Sequence, residues 1–194
     1  MDLLTQCSVN YQTLLNCEYR FTLGRKGKLI ELILRFSESD FHHLAGLHKL
    51  KDLHIARANR STVFRQILCG KITYQTISKS QFFPEIQDRI NTLPHLATLL
   101  DSDHLIFRYH RNAFPHSSIE SEFLLKMGDG TTLDITFLFL DRSKQDVYFC
   151  RSFFPMGKTD YSKGQMRYTL LNKEKHHLIP ATASSSTTNS TNPI

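Results

Sequence analysis

The sequence predicts an α+β domain: helices in the first half, then a four- to five-stranded antiparallel β-sheet, with a small extra β-hairpin near the N-terminus. Three observations predict it. Segments with helix-type apolar spacing fill residues 41–101, and from His104 the hydrophobic period shortens to two. Gly128-Asp129-Gly130 and the polar stretch 141–146 supply turns between the later strands. Helices followed by strands pack as a helical layer on one face of an antiparallel sheet, leaving the other face partly polar.

The elements follow in order. Residues 3–15 read as a short amphipathic helix. Residues 17–23 and 28–36 read as two strands joined by Gly24-Arg25-Lys26-Gly27, the extra hairpin. A helix from Phe41 to about Ala58 can be capped by Ser39 or Asp40, and Ser61 can cap a second one that Gly70 stops. Residues 72–78 fit no single pattern. Pro84 and Pro94 open two further short helices, 85–91 and 95–101. Strands are expected at 104–110, 119–127, 131–140, 147–152 and 166–171, with Leu133, Ile135, Phe137 and Phe139 sharing one face of the third. The tail 180–194 is rich in Ser, Thr and Asn and cannot bury apolar surface, so disorder is expected. The resulting division is an N-terminal helix and hairpin start (1–28), one main domain (29–178) and a tail (179–194).

Composition narrows the function. No apolar run approaches the ~20 residues needed to span a membrane, and Asp2 stands where a signal peptide carries positive charge. Cys7, Cys17, Cys69 and Cys150 are scattered without a CxxC pair, against a disulfide framework or zinc cluster. A cytoplasmic protein is expected. The net charge of +6 suits an anionic partner, nucleic acid foremost. Neither GxGxxG nor a P-loop occurs.

Chemistry concentrates in two places. Residues 41–53, FHHLAGLHKLKDL, hold three of the ten histidines. At about 100° per residue, a single helix sets His48 among Leu44, Ala45 and Ile55, pointing inward. His43 falls roughly 140° away. An inward histidine needs a partner or a task; a hydrogen-bonded core histidine is the simpler reading, and residue pattern alone leaves both open. The second place is residues 151–165, RSFFPMGKTDYSKGQ, a polar loop leaving a rigid sheet.

Together these motifs resemble the fourth phage-associated subtype of the nuclease family named after barnase, EndoU, colicin tRNases and RelE (the BECR fold). His43, Leu44, Gly46, Leu47 and His48 fit its H-L-x-G-L-H pattern, and Ser152–Pro155 its SFFP element; the similarity covers roughly residues 29–175. The resemblance implies helices followed by a four-stranded antiparallel sheet. It also implies a metal-independent endoribonuclease of toxin or phage-conflict type, without cofactor, in which a ribose 2′-OH attacks the adjacent phosphate. Placed by chemistry on the matching motifs, His48 and His43 are the acid–base candidates. Arg151 and Lys158 would stabilise charge, and Ser152, Tyr161 and Gln165 would position phosphate or base. Lys49, Lys51, Arg108, Lys126, Phe154, Lys163 and Arg167 are candidates to bind RNA, tRNA included, by charge or stacking. A toxin of this kind implies an acidic antitoxin or immunity protein.

Two other readings compete. The same fold can carry a catalytically inactive RNA- or protein-binding module. A metal-dependent hydrolase would draw on Asp101, Asp103, His104, Glu120, Glu122 and Asp134, but these lack the spacing of a known metal motif.

Overall fold

Asp2 starts the fold locally. Its carboxylate accepts hydrogen bonds from the Leu4 and Thr5 backbone N–H groups at 3.0 and 3.1 Å and caps α1, Leu3–Gln12. The computed structural model describes residues 1–132 and 134–178. Leu133 and the expected disordered tail lie outside the described residues. After α1 come β1 (Cys17–Arg25) and β2 (Lys28–Arg35), then α2 (Glu38–Leu44), α3 (Arg60–Leu68), α4 (Tyr74–Ile77), α5 (Gln87–Thr92) and α6 (Leu96–Asp101). The strands β3 (His104–Arg108), β4 (Phe123–Met127), β5 (Thr136–Arg142), β6 (Tyr148–Pro155) and β7 (Met166–His177) complete the chain. Asn59 rather than Ser61 caps α3, accepting from the Thr62 N–H at 3.0 Å.

The sheet is not an open one of four or five strands. It is a closed barrel in the order β1-β2-β6-β5-β4-β3-β7. Two things make the difference. The hairpin β1–β2 is part of the wall, and β7 runs on through the polar residues 172–177 to pair with β1 from Cys17–His177 to Gly24–Thr169. Those residues read as a solvated charge run because their neighbours in space are about 150 positions away in sequence. Lys173 shows why a strand survives there: its ammonium donates to the carbonyls of Leu100, Asp101 and Ser102 at 3.1, 2.8 and 2.6 Å, satisfying the end of α6.

One apolar core joins α1 to the barrel. Leu4, Tyr11, Phe21, Leu34, Phe41, Phe64, Leu100, Leu125 and Phe153 all belong to it. The expected polar face of the sheet is also a core. Phe107, Leu124, Phe137 and Phe139 form a second cluster on the other side of β3, β4 and β5, covered by Phe154 of β6 and by Phe114, Ile119 and Tyr161 from the connecting segments. Phe137 and Phe139 share a face as expected, while Leu138 and Leu140 point into the main core, so β5 is buried on both sides.

The barrel closes weakly at one place. β2 and β6 meet in a single parallel pairing, Leu34 with Tyr148. Beyond it, α2 and α5 pack against β6 where another strand would otherwise lie. The cleft described next lies further along β6, where Arg151, Ser152 and Phe154 line it.

Candidate active site

Gly46 decides the geometry of the histidines. α2 starts with a capping box between Ser37 and Asp40 and ends at Leu44. Gly46 then adopts φ +75°, and its missing side chain matters: a Cβ there would sit 2.8 Å from Ile86 Cγ2. The chain turns into a short 3₁₀ helix, Leu47–Lys49, which carries His48. The rings of His43 and His48 therefore lie 4.7 Å apart, centroid to centroid, tilted by 50°. The 140° divergence assumed one uninterrupted helix, and the glycine removes it. His48 does not point into the core but lines the cleft, open to solvent on one side and packed against its walls on the other. The inward histidine is His42, 2% exposed, whose Nε2 lies 2.9 Å from the Ile55 carbonyl.

A β-bulge supplies the next pair. β5 and β6 are in register from Thr136–Pro155 to Phe139–Ser152, and the register then shifts so that Leu140 faces Cys150. Arg151 is the extra residue. A bulge of this kind re-aims side chains: Arg151 and Ser152, neighbours in sequence, both line the cleft. Ordinary strand alternation divides the SFFP motif, with Phe153 in the main core and Phe154 on the cleft wall.

Arg89, on α5, completes the centre. Its guanidinium lies 5.0 Å above the Phe154 ring, and its one hydrogen bond among the described residues is a long one, 3.4 Å, to Ser152 Oγ. It pairs with no carboxylate among the described residues. Lys49 stands at the rim, 3.8 Å from Glu85. Tyr161, packed against Phe114 at 4.9 Å and Phe154 at 5.6 Å, closes one wall, and residues 116–120 form the other. The whole cleft encloses about 440 Å³.

The structure thus gathers seven of the sequence candidates: His43, His48, Lys49, Arg151, Ser152, Phe154 and Tyr161. Glu120, considered as a metal ligand, also lines the cleft, paired with Arg111 at 2.8 Å; the others lie elsewhere. Gln165 clamps the chain after β3, accepting from the His110 N–H at 2.8 Å and donating to its carbonyl at 3.1 Å. Arg108 pairs with Glu122 and lies over Phe123, and Lys126 donates to Asp160 at 3.0 Å. Lys51, Lys158, Lys163 and Arg167 are exposed outside the cleft. Of the carboxylates considered as metal ligands, Asp101 accepts from Tyr19 and Lys175, and Glu122 bonds Arg108, Arg142 and Tyr148. Among the described residues no group of three or more His, Cys, Asp or Glu side chains is placed to hold a metal ion. Sequence reasoning missed Arg89, although a signal existed: at about 100° per residue, Arg89 falls beside the apolar stripe of Ile86, Ile90 and Leu93.

The electrostatics point one way. Burial, then Arg60, His42, Arg151 and Arg89, push His43 down to about 4. Burial, His43 and Arg89 do the same to His48, also to about 4. Burial pushes Arg89 down to about 10, with Tyr161 opposing. Both histidines are therefore neutral at pH 7 in the free protein, beside Arg89 and Arg151, which pair with no carboxylate among the described residues. A bound dianion offsets those cations and raises both histidines towards their ordinary range. Binding then takes up a proton, so affinity strengthens as pH falls from about 7 towards the free-state value. Calorimetry with sulfate at pH 7.0 and 5.5 should show affinity rising about tenfold at the lower pH if one histidine regains an ordinary pKa. His48→Ala should flatten the dependence; a wild-type affinity indifferent to pH contradicts this electrostatic account.

The α+β barrel thus carries a cationic cleft with two juxtaposed histidines, groups that can attract an anion and exchange protons near neutral pH. The family model described as phage-Barnase-EndoU-ColicinE5/D-RelE like nuclease4 matches residues 3–185, and the chain belongs to that family. The match begins within α1, so it takes in the N-terminal helix and hairpin as well as the histidine and SFFP motifs. No curated protein and no solved structure matches the chain. Among the described residues no helix is long and apolar enough to cross a membrane.

Proposed function

We propose that this nuclease-family protein is a metal-independent endoribonuclease that cleaves RNA by 2′-OH attack, with His43 and His48 as the acid–base pair. One observation carries the reading: strong polar groups without internal partners converge in a single cleft. His43, His48, Arg151 and the Tyr161 hydroxyl make no protein hydrogen bond among the described residues, and Arg89 makes only the long one to Ser152. Elsewhere comparable groups are used up, as in Arg20 and Arg35 on Glu18 or Lys175 on Asp101. Unpaired donors that hold their positions without a ligand are preorganised for one.

The chemistry follows from the groups present. One neutral imidazole takes the 2′-OH proton as the hydroxyl oxygen attacks phosphorus. The other, protonated once the phosphate is bound, gives its proton to the departing 5′-oxygen. Arg89 and Arg151 carry the charge that builds on the non-bridging oxygens, Arg89 through a fork that matches two of them. Phe154 and Tyr161 offer aromatic surface beside the phosphate site for a base. RNA, tRNA included, is the substrate class, and the cytoplasm the compartment of action. A toxin or phage-conflict role, with an acidic antitoxin or immunity protein covering Arg89, Arg151 and Lys49, extends the same reading.

The test is cleavage of tRNA and a mixed RNA pool with EDTA present, by wild type, His48→Ala and Tyr161→Phe. Products with 2′,3′-cyclic phosphate ends are expected from the wild type, falling by about 10²–10⁴ in His48→Ala. RNA that is bound in a salt-dependent way yet stays intact moves the reading to the binding module. Activity abolished by EDTA moves it to a metal-dependent hydrolase.

A further inference from the structure

We infer that His42 is a positioning residue of this cleft: anchored through Nε2 to the Ile55 carbonyl, it offers a buried Nδ1 lone pair that stabilises the proton taken up by the His43–His48 pair. The inference rests on the acid–base reading above. A carbonyl oxygen only accepts, so the 2.9 Å contact fixes the ring hydrogen on Nε2 and leaves Nδ1 as an acceptor. Nδ1 is buried and has no hydrogen-bond partner among the described residues, in a side chain 2% exposed. An unused acceptor at that depth is costly unless some state of the protein uses it.

Two rings able to supply an N–H lie beside it. Centroid to centroid, the His43 ring stands 6.1 Å from the His42 ring, nearly perpendicular at 83°, and the His48 ring 6.4 Å from it at 36°. A ring rotation or one bridging water links either to Nδ1. The charged groups that bear on the three rings are Arg60 from α3, Arg89 from α5, Arg151 from β6 and Lys49 beside His48. All are cations, so none can accept a proton's hydrogen bond. Protonated, His42 would join them and lower His43 and His48; burial holds it neutral, and its Nδ1 is then an acceptor for an imidazolium beside it.

Two substitutions separate this role from simple support of the turn. In His42→Gln the amide nitrogen keeps the bond to Ile55 while nothing replaces Nδ1. In His42→Asn the amide oxygen stands close to the Nδ1 position while the anchor is lost. The C2 protons of His43 and His48 are titrated by NMR with sulfate bound, and RNA cleavage is followed against pH. His42→Gln should lower the sulfate-bound midpoints by about one unit and slow cleavage at pH 7 about tenfold. His42→Asn should keep midpoints and rate within about threefold of wild type. Wild-type midpoints in His42→Gln overturn the inference, as does an equal loss in His42→Asn, the mark of an anchor that only holds the chain. The midpoints are read without RNA. Wild-type protein that leaves RNA intact therefore counts against the ribonuclease reading, while the midpoints decide the role of His42.

Discussion

Replacing Arg89 with methionine is expected to reduce RNA cleavage about 10³-fold, in the range of losing a principal charge-stabilising donor, while leaving the protein as stable as wild type or more so. The two halves have one cause. Arg89 is a largely desolvated guanidinium without a carboxylate, resting on the Phe154 ring at 5.0 Å. In the free protein its charge is a liability, because desolvating an ion without a counter-ion costs several kcal/mol. Methionine keeps the unbranched stem and can lay its thioether on the same ring. Each kcal/mol recovered should raise the melting temperature by about 3 °C in a domain of this size. Once phosphate is bound, the same charge becomes the strongest contact in the cleft. Arg89→Lys retains charge without the fork and should fall between the two. Thermal melts alongside cleavage rates check this. A methionine variant that melts well below wild type would show that Arg89 is structural, and one that cleaves normally would remove it from the site.

That trade explains what the sequence could and could not reveal. His43, His48, Ser152 and Phe154 were legible because each sits in a short motif whose members are close in the chain. The closure of the barrel and the placing of α5 were not. They depend on β7 pairing with β1 across most of the sequence, and on α5 reaching β6 from some sixty positions upstream. Nothing in residues 172–177 announces a strand, since their partners are polar groups of α6 and β1 rather than an apolar face. The inward direction assigned to His48 failed for a smaller reason. Helical arithmetic was carried through Gly46, although a glycine inside a helical pattern is also a stop signal. With the helix ended at Leu44, the inward place passes to His42, and the two histidines that seemed to diverge come together. Arg89 was hidden for a physical reason too: an arginine beside an apolar stripe usually lays its stem on the surface and its head in water, and only the fold shows that this head is enclosed.

Gly46→Ala should then be the most damaging small substitution in the molecule. Alanine in the left-handed region costs roughly 1–2 kcal/mol. Its Cβ would also stand 2.8 Å from Ile86 Cγ2 and 3.1 Å from Arg89 Cδ, so α5 must yield. Overpacking of that kind costs about 1–3 kcal/mol. A total of about 3 kcal/mol corresponds to a fall of about 9 °C in melting temperature. Gly70→Ala is the control. Its φ is +72° but nothing lies within 4 Å, so only the backbone cost applies. The difference between the two variants isolates the contacts with Ile86 and Arg89. The effect on cleavage should exceed the effect on folding, because Gly46 sets the separation of His43 and His48 while the residue beneath it carries Arg89. A displacement of about 1 Å in such a constellation can cost 10²-fold in rate. Gly46→Ala protein held well below its melting temperature should therefore cleave at least about 10²-fold more slowly than wild type, with Gly70→Ala unaffected. Equal melting temperatures for the two variants would mean that α5 gives way freely. In that case the spacing of the histidines is not set by this turn.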